Sequence, residues 1–213
     1  MGFFFPQETV VVEAPATGRA AVKAKATPKA RQALGGTGCD ACPLQSRWPQ
    51  IVSRQMPVSG NAHDADILVL GEAPGEHEDR LGRAFVGESG KLLRATIPGR
   101  AMERIAFQNT VRCRPEDNRT PAPQEAHACS VHLADDIARL PIKAILGVGG
   151  VPLQRAYPGA SILRVHGIRF PLRIGGKVVW YFPVLHPAYV LRMGGERSAV
   201  APIFKADIKT FFA

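Results

Sequence analysis

Four short apolar runs, spaced through one chain and separated by helix-like stretches, constrain the fold more than any other feature. Asp66-Ile-Leu-Val-Leu70, Ile105-Ala-Phe-Gln-Asn109, Ala144-Ile-Leu-Gly-Val148 and Val178-Val-Trp-Tyr-Phe182 each read as a short, largely buried strand. Helices are expected near Gly87 to Thr96, Pro123 to Arg139, Val151 to Tyr157 and Ser198 to Phe211. Pro123 suits a first helical position, with Gln124 and Glu125 in the first turn, so Cys129 would project from that helix. Repeated strand, crossover helix and strand specify an α/β fold: a three-layer α/β/α sandwich around a central, mainly parallel four-stranded sheet. Functional loops then belong at the carboxyl ends of the strands.

The chain has only four cysteines, Cys39, Cys42, Cys113 and Cys129. Cys39-Asp-Ala-Cys42 is the spacing at which one turn aims two thiolates at one metal, and a distant pair can complete a four-thiolate site. Disulfides fit poorly, because no secretory signal opens the chain. Spacing alone leaves zinc and an iron-sulfur cluster equally open, since both accept four thiolates.

Charge points to a polyanion. Of 213 residues, 27 are Lys or Arg and 18 Asp or Glu, a net charge of +9 that suits phosphate contacts. Residues 1–36 differ from the rest. From Pro15 to Gly38 there is no acid, while Arg19, Lys23, Lys25, Lys29 and Arg31 are all basic, the pattern of a flexible leader ahead of a domain at 37–213. Phe3, Phe4 and Phe5 before it could dock on the body of the protein or on a protein partner. No apolar run reaches the roughly 20 residues needed to span a bilayer, and a soluble, cytoplasmic monomer is expected.

The strand ends carry the candidate chemistry. After the first strand comes Gly71-Glu-Ala-Pro-Gly75, then a polar stretch with Glu76, Glu78 and Asp79, read as a long loop whose acids are mostly solvated. A nucleotide-binding P-loop is excluded, because Phe85 stands where its first glycine would be and Leu92 follows Lys91. Phe85 could stack on a planar ligand. Asn109 could both donate to and accept from a base edge, with Arg112, Arg114 and Arg119 beside it for phosphates. His186, fixed before Pro187, could stabilise negative charge on a leaving group, as a neutral donor or as an acid.

Taken together, Cys39-x-x-Cys42-Pro-Leu, Gly71-Glu-Ala-Pro-Gly75, Glu78-Asp79, Phe85-Val-Gly87, Asn109, Cys113-Arg-Pro115, Asn118-Arg-Thr-Pro121, Cys129 and His186-Pro-Ala-Tyr-Val-Leu-Arg192 resemble the uracil-DNA glycosylase superfamily, and within it the iron-sulfur, thermophile-type family 4. The motifs keep the family's order across residues 39 to 192. The resemblance implies a 4Fe-4S cluster on the four cysteines and hydrolysis of the bond between uracil and deoxyribose in single- or double-stranded DNA. It places Phe85 against the flipped uracil, Asn109 on its polar edge, His186 on its O2 oxygen, Glu78 beside C5 to refuse thymine, and Glu72 near the sugar. Tyr189, Val190, Leu191 and Arg192 would enter the minor groove. Ala73 stands where family 1 relatives carry a water-activating Asp, and Gly75 where they carry a thymine-blocking Tyr. A catalytically weak uracil-DNA binding module is the other reading the same residues allow.

Overall fold

The computed structural model describes residues 35–213. The leader expected at residues 1–36 and the Phe3 to Phe5 tip thus lie almost wholly outside the described residues. Six strands form one sheet: β1 (Ser59–Gly60), β2 (Ile67–Gly71), β3 (Ile105–Asn109), β4 (Ala144–Val148), β5 (Phe170–Ile174) and β6 (Lys177–Val184). Their order is β1-β3-β2-β4-β6-β5. The four inner strands are the expected ones and run parallel, whereas β1 and β5 add antiparallel edges. The expected four-stranded sheet is therefore corrected to six. β1 is only two residues long, and β5 carries Pro171 and buries only its end residues, Phe170 and Ile174, so neither gives a continuous apolar run.

The helices are α1 (Glu76–Leu81), α2 (Glu88–Thr96), α3 (Pro123–Ala128), α4 (Ser130–Arg139), α5 (Gly150–Ala156), α6 (Ile162–Val165), α7 (Pro187–Arg192) and α8 (Ala201–Phe211). The single helix expected over 123–139 is two, meeting at Cys129, which ends one and starts the other.

Alternation along β2 divides the core. Ile67 and Val69 face one layer with Leu93 of α2 and Phe204 and Ile208 of α8. Leu68 and Leu70 face the other with Leu133 and Ile137 of α4 and Leu153 of α5. Because successive strand side chains point to opposite faces, a strand covered by helices on both sides must be apolar at every position. The result is the three-layer sandwich, with the parallel strands all ending at one edge. Register pairs Gly71 with Asn109 and Val148 with Val184, so the segments bearing Glu72, Thr110, Gly149 and His186 emerge side by side. Helix α2, beyond β2, and helix α5, after β4, lie on opposite faces. This opens a crevice between those two adjacent strand ends.

Candidate active site and four-cysteine cavity

Asn109 and Phe85 meet over Gly71. Asn109 is 4 % exposed and its backbone N–H donates to Gln108 Oε1 at 2.8 Å, leaving the amide to face inward across the strand end. A Cβ on Gly71 would lie 2.4 Å from Asn109 Oδ1 and 2.6 Å from Phe85 Cζ, so only glycine lets the ring and the amide converge there. Phe85 is 7 % exposed and sits at φ +58°, a left-handed conformation that bulky residues avoid.

The acids read as a solvated loop are not one. Residues 76–81 form α1, and Glu78 turns its carboxylate onto the backbone: Oε1 accepts the Val86 and Gly87 N–H groups at 2.9 and 2.7 Å, and Oε2 accepts that of Gly75 at 3.2 Å. Asp79 is buried and accepts the N–H groups of Val52 and Ser53. Both carboxylates serve as polar staples for irregular backbone that the sheet cannot pair.

His186 is the N-cap of α7, with Pro187 in the first turn. Its Nδ1 accepts the Ala188 N–H at 3.1 Å, which in the neutral ring assigns the proton to Nε2. Burial, and then the Arg192 guanidinium, push its pKa down to about 4. Gly149, at φ +93°, admits the ring: a Cβ there would stand 3.0 Å from it. Glu72 is half-buried, and burial raises its carboxyl above the usual range, opposed by a hydrogen bond from Thr120 and by Arg192. Arg192 thus acts on both Glu72 and His186. Ala73 packs against the cluster of Leu44, Ile51 and Val111. Glu72's carbonyl accepts the Val111 N–H at 3.0 Å, and Gly71's accepts both the N–H and the hydroxyl of Thr110 at 2.8 Å.

The four cysteines line one open cavity, with Gln55, Arg112 and His132 also on its wall. None is disulfide-bonded. Two sulfurs accept backbone N–H groups, Cys113 from Gln55 at 3.3 Å and Cys129 from Arg112 at 3.4 Å, while His132 Nε2 lies 3.2 Å from Cys39 Sγ. Burial pushes the Cys129 thiol up to about 12, with the Arg112 N–H working the other way. Among the described residues no group of three or more His, Cys, Asp or Glu side chains stands where a single metal ion could be held. All four cysteines border the cavity without forming a site for a single ion.

The segment assigned to the minor groove is α7, and the fold divides its members. Val190 is 1 % exposed and packs in the core, so it anchors the helix. Leu191 is 39 % exposed and Met193, which the sequence did not single out, 52 %; Arg192 is exposed and Tyr189 half-buried. Thr120, Gly71 and Gly149 were likewise missed. Their signal lies in place, not type: a Thr in Asn118-Arg-Thr-Pro121 and a Gly at a strand end are ordinary until the fold sets them against Glu72, Asn109 and His186.

Residues 57–207 match the uracil DNA glycosylase superfamily. A type-4 uracil-DNA glycosylase of Thermotoga maritima is 37% identical over 158 residues, covering 72% of this chain and 78% of that protein. Type-4 uracil-DNA glycosylases of Sulfurisphaera tokodaii and Pyrobaculum aerophilum are 34% and 32% identical over 175 and 182 residues, covering 78% and 82% of this chain and 77% and 88% of theirs.

Proposed function

Since the chain belongs to the uracil-DNA glycosylase superfamily, we propose that it is a uracil-DNA glycosylase that hydrolyses the N-glycosidic bond of uracil flipped out of DNA and so initiates base excision repair. The observation that carries this reading is the convergence of Phe85 and Asn109 over Gly71, at the strand edge that also presents His186.

In the proposed reaction uracil leaves the duplex and lies on the Phe85 ring. Base-aromatic stacking is worth roughly 1 to 3 kcal/mol and offsets part of the cost of flipping. The Asn109 amide reads the polar edge. As the glycosidic bond lengthens, charge builds on the uracil O2, and His186 donates its Nε2 proton in a hydrogen bond without giving it up. A neutral, preset donor gains from the low-dielectric surroundings, since it needs no reorganisation when the anion forms. Glu72, held by Thr120 and near Arg192, supplies the negative charge that an oxocarbenium-like sugar attracts. Ala73 has no group to orient water, so that task falls to Glu72 or to a phosphate of the substrate itself. Leu191, Met193 and Arg192 occupy the exposed end of α7, where an apolar wedge and a cation suit a minor groove from which a base has been withdrawn.

The four-cysteine cavity fits a 4Fe-4S cluster. Sulfurs spread round a cavity suit a group that is ligated at its corners, two of them already accept N–H bonds that favour thiolate, and Arg112 lends positive charge. Bound there, the cluster would cross-link the Cys39 to Cys42 turn, the Arg112 to Arg114 segment and the α3-α4 junction. The test of function is incubation with a uracil-containing single-stranded oligonucleotide followed by alkali. Strand breakage at the uracil is expected. Tight binding without breakage would instead mark a uracil-binding module.

A further inference from the structure

Phe85 can serve as a stacking platform only if its backbone stays where it is, and that backbone is in a conformation a phenylalanine does not choose unaided. Residues 84–87 pair with no strand. Instead, two side chains grip them, one by carbonyls and one by N–H groups. Arg94 of α2 donates through Nε to the Phe85 carbonyl at 2.8 Å and through Nη2 to the Ala84 carbonyl at 3.1 Å. Its guanidinium carbon lies 3.8 Å from the centre of the Phe107 ring, which itself meets the Phe85 ring at 5.8 Å. Across the loop, Glu78 accepts the next two N–H groups, of Val86 and Gly87. Gly90 closes the grip, since a Cβ there would fall 2.2 Å from the Phe85 carbonyl carbon.

We propose that Arg94, together with Glu78, is a positioning residue for the uracil pocket: its two-pronged grip on the Ala84 and Phe85 carbonyls, set over the Phe107 ring, holds the Phe85 ring over Gly71 beside Asn109. The proposal rests on the reading of Phe85 as the uracil platform. A planar fork is needed, because only a guanidinium can donate in parallel to two successive carbonyls while lying against a ring. Lysine keeps the charge but not the fork. The sequence gives no hint of this, since an arginine six residues into a helix reads as a solvated cation.

The test is a double-mutant cycle in the full chain, with Arg94→Lys, Phe85→Ala and the pair, read by single-turnover release of uracil from a single-stranded oligonucleotide. If Arg94 acts through Phe85, Arg94→Lys slows release about 10-fold in the wild-type background and less than about 2-fold once the ring is gone. Affinity for an abasic duplex, which offers no base to stack, stays unchanged. Equal slowing in both backgrounds, or no slowing, overturns the proposal. A second measurement is independent of activity and of uracil. With fluorophenylalanine incorporated, the Phe85 fluorine resonance, assigned by its loss in Phe85→Leu, is expected to broaden or split in Arg94→Lys while that of buried Phe204 does not. An unmoved Phe85 resonance overturns the grip, whereas a wild-type protein that releases no uracil but shows the resonance change overturns only the glycosylase reading.

Discussion

The protonation state of His186 separates a neutral donor from a general acid, and the fold commits to the first. Its pKa lies at about 4, against 6.5 for an ordinary histidine, because the partly buried ring is desolvated and Arg192 stands near. At pH 6 about 1 % of such rings are protonated, compared with about three-quarters of unperturbed ones. Uracil release measured under single turnover is therefore expected to be flat between about pH 6 and 8. Nor is protonation harmless, for it would turn Nδ1 into a donor facing the Ala188 N–H. Stability follows the same group. The folded state binds fewer protons than the unfolded chain between about pH 4 and 6.5, so acidification through that window costs stability, by at most about 3 kcal/mol once below it. Glu72, with a raised pKa, adds its own acidic limb, recognised by its loss in Glu72→Gln. Removing the nearby charge in Arg192→Ala should move the His186 titration upward. The assay pairs the rate profile with an NMR titration of the His186 ring, and His186→Ala should lose on the order of 100-fold to 1000-fold in rate. An inflection near pH 6.5 in wild type that vanishes in His186→Ala would refute the neutral-donor argument.

Protein prepared without oxygen should be brown and hold iron and acid-labile sulfide in about equal amounts, and Cys113→Ser should lose both; stoichiometric zinc with neither would sink the cluster assignment. Gly90→Ala should destabilise by about 1 to 3 kcal/mol in thermal unfolding, since its methyl would strike the Phe85 backbone, whereas Gly99→Ala, with nothing within 4 Å, should be near neutral. If the basic leader tracks phosphates, deleting residues 1–36 should make the log-log salt dependence of DNA binding shallower while the single-turnover rate at saturation holds; an unchanged slope would make the leader a bystander. Glu78→Gln should slow uracil release more than it raises the thymine-to-uracil rate ratio on G-mispaired duplexes, because its carboxylate holds backbone; a thymine gain with undiminished uracil release would return it to the C5 position.

The parallel core was legible because burial on both faces leaves a mark in every residue of a strand, as in Ile67 to Leu70. Edge elements carry no such mark. Helix α7 was missed for a local reason: His186-Pro-Ala-Tyr reads as a loop after a strand, although a histidine can cap a helix whose first residue is proline. In the site, Phe85, Asn109 and His186 could be named from the chain, but the residues that aim them could not. Arg94, Thr120 and Gly149 act through places that only the fold brings near. Glu78 shows the reverse case, an acid whose type was noticed while its partners, three backbone N–H groups, lay hidden.

Irregular backbone accounts for why the chemistry sits between two polar staples. The strand ends fix Gly71 and Asn109 by regular pairing, yet a pocket for a planar base also needs segments that leave the sheet and return over it. Such segments have unpaired N–H and C=O groups, and burying them without partners would cost more than their packing returns. On one side Glu78 and Arg94 supply those partners for residues 84–87. On the other, the Val111 N–H reaches Glu72, the Met56 N–H reaches the Arg112 carbonyl, and the Gly38 N–H reaches the Ala128 carbonyl, tying the cysteine-bearing segments to the strand ends. A cluster on those cysteines would complete this second staple. Losing it should then loosen Glu72 and the Thr120 segment before it disturbs Phe85, whose backbone is held separately by Arg94 and Glu78.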